Sequence, residues 1–462
     1  MSDIVAANIG ARLDRLPFTR TLWRFVCLIA LGGVFELYDL FLTAYIAPGL
    51  VRSGLFVAKP EGFFSPNGVG FFVFCTFAGM FVGTLGFGFV ADRVGRRAIF
   101  TYSLIWYCIA STIMAFQTSA EGVNLWRFIA SVGIGLEQVT IDTFIPELVP
   151  PQGRGRAFAI YQFIAFLIVP VVAFLSYLLV PRAPMGFDGW RWVVLGSAVG
   201  AFGAWVLRLS LPESPRWLAR HGDVERAETI MKDIEARVQQ DIGGAPLPPI
   251  GKAIIERGNT STFVELFKPP FLSRTVMMST FNVLSVVGYY GFAAWVPTLL
   301  IDKGITVTQS LLYAFIIAIA NPFGPLLGFL VADRIERKWA LVLSSIGIGV
   351  FMLLFALQTN QVIIIALGVL VTLCNNWLSF TFHSYQAELF PTRVRGRAVG
   401  FVYGWGRVSA AFVGLLIGFF FKQGGTLGVA TFIGVAMLGV ILVIAIMGPR
   451  TLNRTLEDIS SD

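Results

Sequence analysis

The sequence predicts an all-α membrane protein with twelve transmembrane helices in two six-helix pseudo-repeats. Three observations lead there. The first is composition: of 462 residues, 56% are hydrophobic and 13% charged, with a mean hydropathy of +0.75, unlike a water-soluble domain. The second is run length, since many apolar stretches reach the roughly 20 residues a helix needs to cross about 30 Å of hydrocarbon. The third is duplication. Gly83-Thr-Leu-Gly-Phe-Gly-Phe-Val-Ala-Asp92-Arg93-Val-Gly95-Arg96-Arg97 returns as Gly324-Pro-Leu-Leu-Gly-Phe-Leu-Val-Ala-Asp333-Arg334-Ile-Glu336-Arg337-Lys338. Pro146-Glu147-Leu-Val-Pro-Pro-Gln-Gly-Arg154-Gly155-Arg156-Ala157 returns as Ala387-Glu388-Leu-Phe-Pro-Thr-Arg-Val-Arg395-Gly396-Arg397-Ala398. Both steps are 241 residues (333 − 92 and 388 − 147). A membrane protein built from two similar halves binds its cargo where they meet.

Taken in order, the spans fall at approximately 23–50, 69–90, 98–117, 123–146, 157–180 and 190–210, then 272–300, 310–331, 339–357, 362–386, 399–421 and 427–448. We number them 1 to 12. The organisation is thus an N-terminal bundle over 1–210, a linker over 211–271 and a C-terminal bundle with its tail over 272–462. The even-numbered turns carry Arg93, Arg96 and Arg97, Arg154 and Arg156, Arg334, Arg337 and Lys338, and Arg393, Arg395 and Arg397. The opposite turns are poorer in positive charge, which places both termini in the cytoplasm. Arginines in short turns also account for the net charge of +8, so no nucleic-acid partner is expected. In the linker, Val224 to Gln240 reads as a polar amphipathic helix capped by Asp223. Ile242 to Gly251 reads as a flexible connector, and the linker as a cytoplasmic latch. The loop Val51 to Gly68 is long for an outer connection and reads as inert rather than as a lid.

Cys27, Cys75, Cys108 and Cys374 all sit in apolar runs, with neither metal-ligand spacing nor a disulfide pattern. The start is polar and Arg-rich, with no cleavable signal. No nucleophile–base pair, nucleotide motif or metal cluster stands out, so neither an enzyme nor a cofactor is expected.

Gly88, Asp92, Arg93, Gly95, Arg96 and Arg97 match Gly-x-x-x-Asp-Arg-x-Gly-Arg-Arg, and with it the chain resembles the major facilitator superfamily over nearly its whole length. Pro212-Glu213-Ser214-Pro215-Arg216-Trp217-Leu218 is similar to the motif that follows span 6 in the sugar-porter and organic-ion branch. Pro449, Thr451, Leu456 and Glu457 echo that branch's C-terminal motif, with Arg450 and Asn453 departing from it. Phe35-Glu36-Leu-Tyr38-Asp39 resembles bacterial metabolite–proton symporters, niacin transporters among them. The resemblance implies a multi-pass protein of the cell membrane, in bacteria the inner membrane, acting as a monomer on a small-molecule substrate and a proton. It also makes Asp92, Arg93, Arg97, Glu147 and Arg154, with Asp333, Arg334, Glu388 and Arg395, a gate whose charge-assisted contacts bias one open state against the other.

Charge inside a span is costly and therefore informative. Asp39 lies 15 residues beyond Arg24, about 22 Å at 1.5 Å per residue. Arg127 lies about five residues into span 4 from the other side, so the two can meet at one level. By resemblance to proton-coupled sugar porters, Asp39 is the proton carrier and Arg127 its partner. Glu36, one turn earlier, is a candidate to share the proton. Arg127, Ser131, Gln138 and Asp142 form a polar stripe on span 4, and Glu137 falls off it, toward a helix contact.

In the C-terminal half, Arg407 lies 10 residues beyond Arg397, about 15 Å deep, and needs a counter-charge. In organic-ion carriers that position holds Arg in anion transporters, so the resemblance implies an anionic cargo. Asn321, before Pro322, marks loosened backbone in span 8, and its amide is the expected partner of a ring nitrogen or amide of the cargo. Tyr289, Tyr290 and Trp377 offer faces for a flat ring. Asn375, Asn376, His383 and Tyr403 complete the candidate set. Gln162 matches a sugar-contacting position, whereas Ser379-Phe380-Thr381-Phe382-His383 replaces the sugar porters' Gly-Pro-x-x-Trp. The expected function is proton-coupled uptake of a small aromatic or heteroaromatic carboxylate, niacin first. A sugar or polyol symporter is the alternative, and a membrane nutrient sensor the alternative from another class.

Overall fold

A computed structural model describes residues 2–251, 263–269, 271–324, 326, 335–390 and 392–451. Its helices fall on the apolar stretches. The N-terminal half contains Arg20–Arg52, Val69–Val94, Arg96–Ala115, Ala120–Leu148, Arg154–Phe166 continued by Ile168–Leu179, and Gly189–Arg208. The C-terminal half contains Phe271–Ala293 continued by Val296–Asp302, Val307–Ala318, Arg337–Leu357 and Gln361–Glu388. Thr392–Met447 supplies spans 11 and 12, separated at Gly425.

Local chemistry sets these boundaries. Ser119 Oγ accepts from the Gly122 N–H, Thr306 from Gln309, and Asn360 from Val362 and Ile363. Each cap satisfies donors that a helix start leaves open. Spans 2 and 3 part at Gly95, whose φ of 109° lies in the left-handed region where a side chain would be strained.

Each half is apolar inside and outside. Tyr102, Trp106 and Ile109 on span 3, and Val435, Leu438 and Leu442 on span 12, are exposed, as a surface facing acyl chains requires. We call the side carrying the linker the inner side.

At the outer side the two halves close on each other. Spans 2 and 11 approach so tightly that a Cβ on Gly70 would lie 2.8 Å from the Gly414 carbonyl oxygen. Phe74 packs on Phe412 with ring centroids 5.7 Å apart, and Phe174 of span 5 on Phe315 of span 8 at 5.3 Å. The loop after span 1, expected to be inert, joins this closure. Lys59 Nζ lies 3.2 Å from the Asp302 carboxylate in the other half and 5.2 Å from the Phe421 ring. Asp302 also accepts from the Thr426 N–H at 2.8 Å. The sequence hid this contact because its two ends lie far apart along the chain.

At the inner side the linker folds as a small cover under the N-terminal half. Pro215–Arg220 and Val224–Asp241 are helical, and the Asp223 carboxylate accepts from the Arg226 N–H at their junction. The sequence reading lacked their partner, an N-terminal helix over Ser2–Asp14. Ile9, Leu13 and Leu16 of that segment bury with Leu218, Met231, Ile234 and Val238 of the linker. Arg12 bonds Glu228 at 2.7 Å and Glu235 at 2.6 Å, Arg15 bonds Glu235 at 2.6 Å, and Arg216 bonds Asp14. Burial alone would raise the Glu235 carboxyl, but the bonds from Arg12 and Arg15 outweigh it and hold it below the usual value.

Candidate functional site

Two polar assemblies lie in the middle of the molecule, one inside the N-terminal half and one between the halves. The first is built on spans 1, 2 and 4. Arg127 donates to Asp39 Oδ1 at 2.5 Å, to the Asp39 carbonyl at 2.8 Å, to Thr43 Oγ1 at 2.5 Å and to Thr76 Oγ1 at 2.9 Å. Both charged side chains are fully buried. The Phe72 ring centroid lies 5.5 Å from the guanidinium carbon, and cation–π attraction favours that placement. The other carboxylate oxygen, Asp39 Oδ2, is buried and accepts no hydrogen bond from the described residues, so a lone pair is left that can take a proton.

The second assembly lines a cavity of about 170 Å³ between the halves. Span 1 contributes Glu36, span 4 Gln138 and span 5 Gln162. Tyr289 and Tyr290 of span 7, Asn375 and His383 of span 10, and Tyr403 and Arg407 of span 11 form the facing wall. Arg407 donates to Tyr403 Oη at 2.8 Å, with its guanidinium carbon 4.9 Å from that ring centroid. Tyr403 also stacks on Phe382, and His383 lies 5.8 Å from the Tyr403 ring. Tyr289 and Tyr290 meet edge to face at 5.0 Å, and Tyr290 rests on Phe77 across the half boundary at 4.4 Å. The wall thus combines flat aromatic faces, carboxamides, one guanidinium and, from the opposite half, one carboxylate.

The sequence candidates divide among these places. Glu36, Gln162, Tyr289, Tyr290, Asn375, His383, Tyr403 and Arg407 share the central cavity. Asn321 and Asn376 do not line it; they adjoin a much smaller cavity on its outer side, which Tyr289 and Asn375 also touch. There Asn376 Nδ2 donates to the Asn321 carbonyl at 3.3 Å and Asn321 Nδ2 to the Ala318 carbonyl at 3.1 Å. Trp377 is half-buried and lines neither cavity.

Of the gate candidates, Asp333 and Arg334 lie outside the described residues, and so do the side chains of Asp92, Arg93 and Arg395, as does that of Asp142 on the span 4 stripe. Arg97 donates to the Leu209 carbonyl at 2.7 Å, and its N–H donates to Glu213 at 3.0 Å. Arg154 bonds the Val149 carbonyl at 3.2 Å and lies 4.0 Å from Asp14. Glu147 pairs with Arg96 at 3.3 Å and Glu388 with Arg337 at 3.2 Å. These last two pairs are copies of one another, because Arg337 stands 241 residues after Arg96 (337 − 96).

Sequence reasoning missed two partners. Glu213 ties the end of span 6 to the start of span 3, and burial raises its carboxyl despite the backbone N–H groups that it accepts from. Glu137 pairs with Arg208 at 2.5 Å, both buried, with the guanidinium carbon 3.7 Å from the Phe100 ring centroid. The signal for the second pair was Arg208 itself, a lone positive charge at the apolar end of span 6.

Comparison with known proteins fits this geometry. The family model described as sugar (and other) transporter matches residues 25–462. The putative metabolite transport protein YyaJ of Bacillus subtilis (strain 168) is 31% identical over 448 residues, covering 96% of each chain. The niacin transporter NiaP of Acinetobacter baylyi is 26% identical over 98% of this chain and 99% of its own. The arabinose-proton symporter of Bacillus subtilis is also 26% identical, over 94% and 93%. Among solved structures, the xylose transporter XylE from Escherichia coli, partially occluded and inward open, superposes with a TM-score of 0.75 at 19% identity. The match covers 94% of this chain and 99% of that one. Two six-helix halves, the duplicated turn motifs and a family match over almost the whole length establish the chain as a membrane transporter of the sugar-porter family within the major facilitator superfamily.

Proposed function

We propose that the protein couples inward proton movement to uptake of a small aromatic or heteroaromatic carboxylate, with nicotinate the first candidate. The observation that carries this reading is Arg407. It is 7% exposed, faces the central cavity and stands among Tyr289, Tyr290, Phe382 and Tyr403. A guanidinium donates a paired fork to a carboxylate, while the tyrosine faces cover a flat ring. The cavity is small beside the roughly 300–1,000 Å³ of sites for drug-sized ligands, which suits a single ring. In this reading Asn375, which lines both cavities, meets the ring nitrogen, the role that the sequence reading gave to Asn321. The niacin transporter relative supports the same cargo class.

Asp39 carries the proton in this reading. Ionised, it holds spans 1 and 4 together through Arg127; protonated at Oδ2, it loses the charge that makes the bond strong. Glu36, one turn away and on the cavity wall, is the route by which cargo and proton sense each other. In this reading the arginine-rich turns face the cytoplasm together with both termini, and the transporter works as a monomer in a bacterial inner membrane.

The test is uptake of labelled nicotinate into vesicles with and without an imposed pH gradient. Accumulation only with the gradient, blocked by benzoate and not by pentoses, is expected. Competition by pentoses alone supports the second reading, a sugar or polyol symporter. Gln162, Asn282 and Asn375 on the cavity wall favour that reading, since carboxamides both donate to and accept from hydroxyls, and the arabinose-proton symporter relative agrees with it.

A further inference from the structure

The inner cover borders a further, partly open chamber that shares no lining residue with the cargo cavity. It measures about 930 Å³ and is bounded by the N-terminal helix, the turn after span 4, the first linker helix and the chain around Pro248. Five arginines line it, Arg15, Arg154, Arg156, Arg216 and Arg220, against one carboxylate, Asp14. The rest of the lining is mostly proline, glycine and alanine, so it adds no further negative charge.

The arginines are held in place from behind. Arg15 is fixed by Glu235 at 2.6 Å and by the Pro248 carbonyl at 2.9 Å. Asp14 accepts from Arg216 and lies 4.0 Å from Arg154, so one carboxylate is shared by two guanidinium groups. The Nε atoms of Arg15 and Arg216 are buried and donate to no described partner. Buried donors of this kind are costly unless something accepts from them. Clustered like charges repel as well, and that repulsion falls when an anion enters.

We infer that this chamber binds a phosphate-bearing anion. Guanidinium forks match phosphate oxygens, and basic pockets on the inner side of membrane proteins are suited to phosphate headgroups. The phosphate can come from an anionic lipid of the inner leaflet or from a soluble phosphate ester. Bound there, it joins the N-terminal helix, the turn between spans 4 and 5 and the linker, bracing the cover against the N-terminal half.

The experiment uses purified full-length protein and the variant Arg156→Gln/Arg220→Gln. Both substituted residues are exposed, so the variant should fold, and its own melt without ligand is the baseline for its titrations. The soluble arm titrates inorganic pyrophosphate and ATP and follows thermal unfolding, because binding to the folded state raises apparent stability. The lipid arm compares nanodiscs of phosphatidylcholine with nanodiscs that also hold phosphatidylglycerol. We expect saturable stabilisation in at least one arm, weakened by salt and at least tenfold weaker in half-saturation for the variant. A response in the soluble arm alone assigns a free phosphate, and in the lipid arm alone a headgroup. Absence of stabilisation in both arms, or an equal response from parent and variant, overturns the site.

Discussion

The outer closure of spans 2 and 11 predicts that bulk at Gly70 will move the transport equilibrium without unfolding the protein. A methyl placed there falls 2.8 Å from the Gly414 carbonyl oxygen and 3.5 Å from the Leu415 Cα. These are backbone atoms of the other half, so no side chain can swing aside, and the halves must separate. Overpacking of this kind costs typically about 1–3 kcal/mol. At 1.4 kcal/mol per factor of ten, Gly70→Ala should disfavour the outer-closed state by roughly 5- to 150-fold, and Gly70→Trp by more. In an outer-open state spans 2 and 11 are apart and the added bulk meets nothing, which turns a local clash into a population shift. Gly83 on the same helix supplies the contrast. Its Cβ would lie 2.1 Å from the Val132 carbonyl oxygen of span 4, within one half and so present in both states. Gly83→Ala should therefore lower thermal stability and leave the equilibrium alone. The assay is a spin-label distance between Arg182 and Thr308, at the outer ends of spans 5 and 8, together with melting temperature. Gly70→Trp should lengthen that distance, stop transport and melt near the parent. Unchanged distance with lowered melting temperature would refute the claim that this glycine contact reports closure between the halves.

Three other outcomes follow from the charged groups. Asp39→Asn should abolish gradient-driven accumulation while sparing exchange, and Asp39→Ala, which strands Arg127, should cost about 3–5 kcal/mol of stability, read by thermal unfolding; driven uptake by the Asn variant at the parental rate rejects the coupling role. Arg407→Gln removes a charge-assisted bond worth about 1.5–3 kcal/mol, so affinity for nicotinate should fall roughly 10- to 150-fold while binding of uncharged nicotinamide changes little; equal losses for both ligands would contradict a carboxylate contact. Burial alone would raise Asp302, but bonds from Thr426 and Lys59 hold it below the usual range, so the outer lock is intact above the ordinary aspartate value of about 3.9 and loosens only as pH falls through the depressed one; outer closure measured by the same spin labels should not vary between pH 5 and 8, and a change there that vanishes in Asp302→Asn would disprove this assignment.

Much of the architecture was legible because lipid imposes it. Run length and the 241-residue step specify the spans and the two halves without any contact being known. Asp39 and Arg127 were legible for a related reason: charge inside a span must find a partner at its own depth, and helical rise measures depth from a nearby arginine. What stayed hidden was lateral. Lys59 and Asp302 both sit in polar turns, where charge needs no partner. Asn321 reads as a cargo contact from its Pro322 neighbour, and only the rotation of span 8 turns it to Asn376. The N-terminal helix was missed because the large apolar residues it packs, Ile9 and Leu13, with Leu16 just beyond it, are few, and they acquire meaning only against the linker they cover.

The duplication also bears on how the two halves differ. Arg127 and Glu137 lie between the two repeat anchors, so the 241-residue step can be applied to them. It leads from Arg127 to Gly368 and from Glu137 to Leu378. The first counterpart is a glycine whose Cβ would meet Ile317 at 2.4 Å, so packing has taken the place of the guanidinium. The second is a leucine on the cargo cavity wall. At both of these positions the C-terminal half is apolar, whereas the Arg96–Glu147 pair of the turns is kept as Arg337–Glu388; among the described residues the Asp39–Arg127 and Glu137–Arg208 pairs belong to the N-terminal half. Symmetric pairs at the turns suit a movement that both halves share. Pairs confined to one half suit a task that only that half performs. That is the division proposed above, with the proton held among spans 1, 2 and 4 and the cargo carboxylate met by Arg407 from the opposite side.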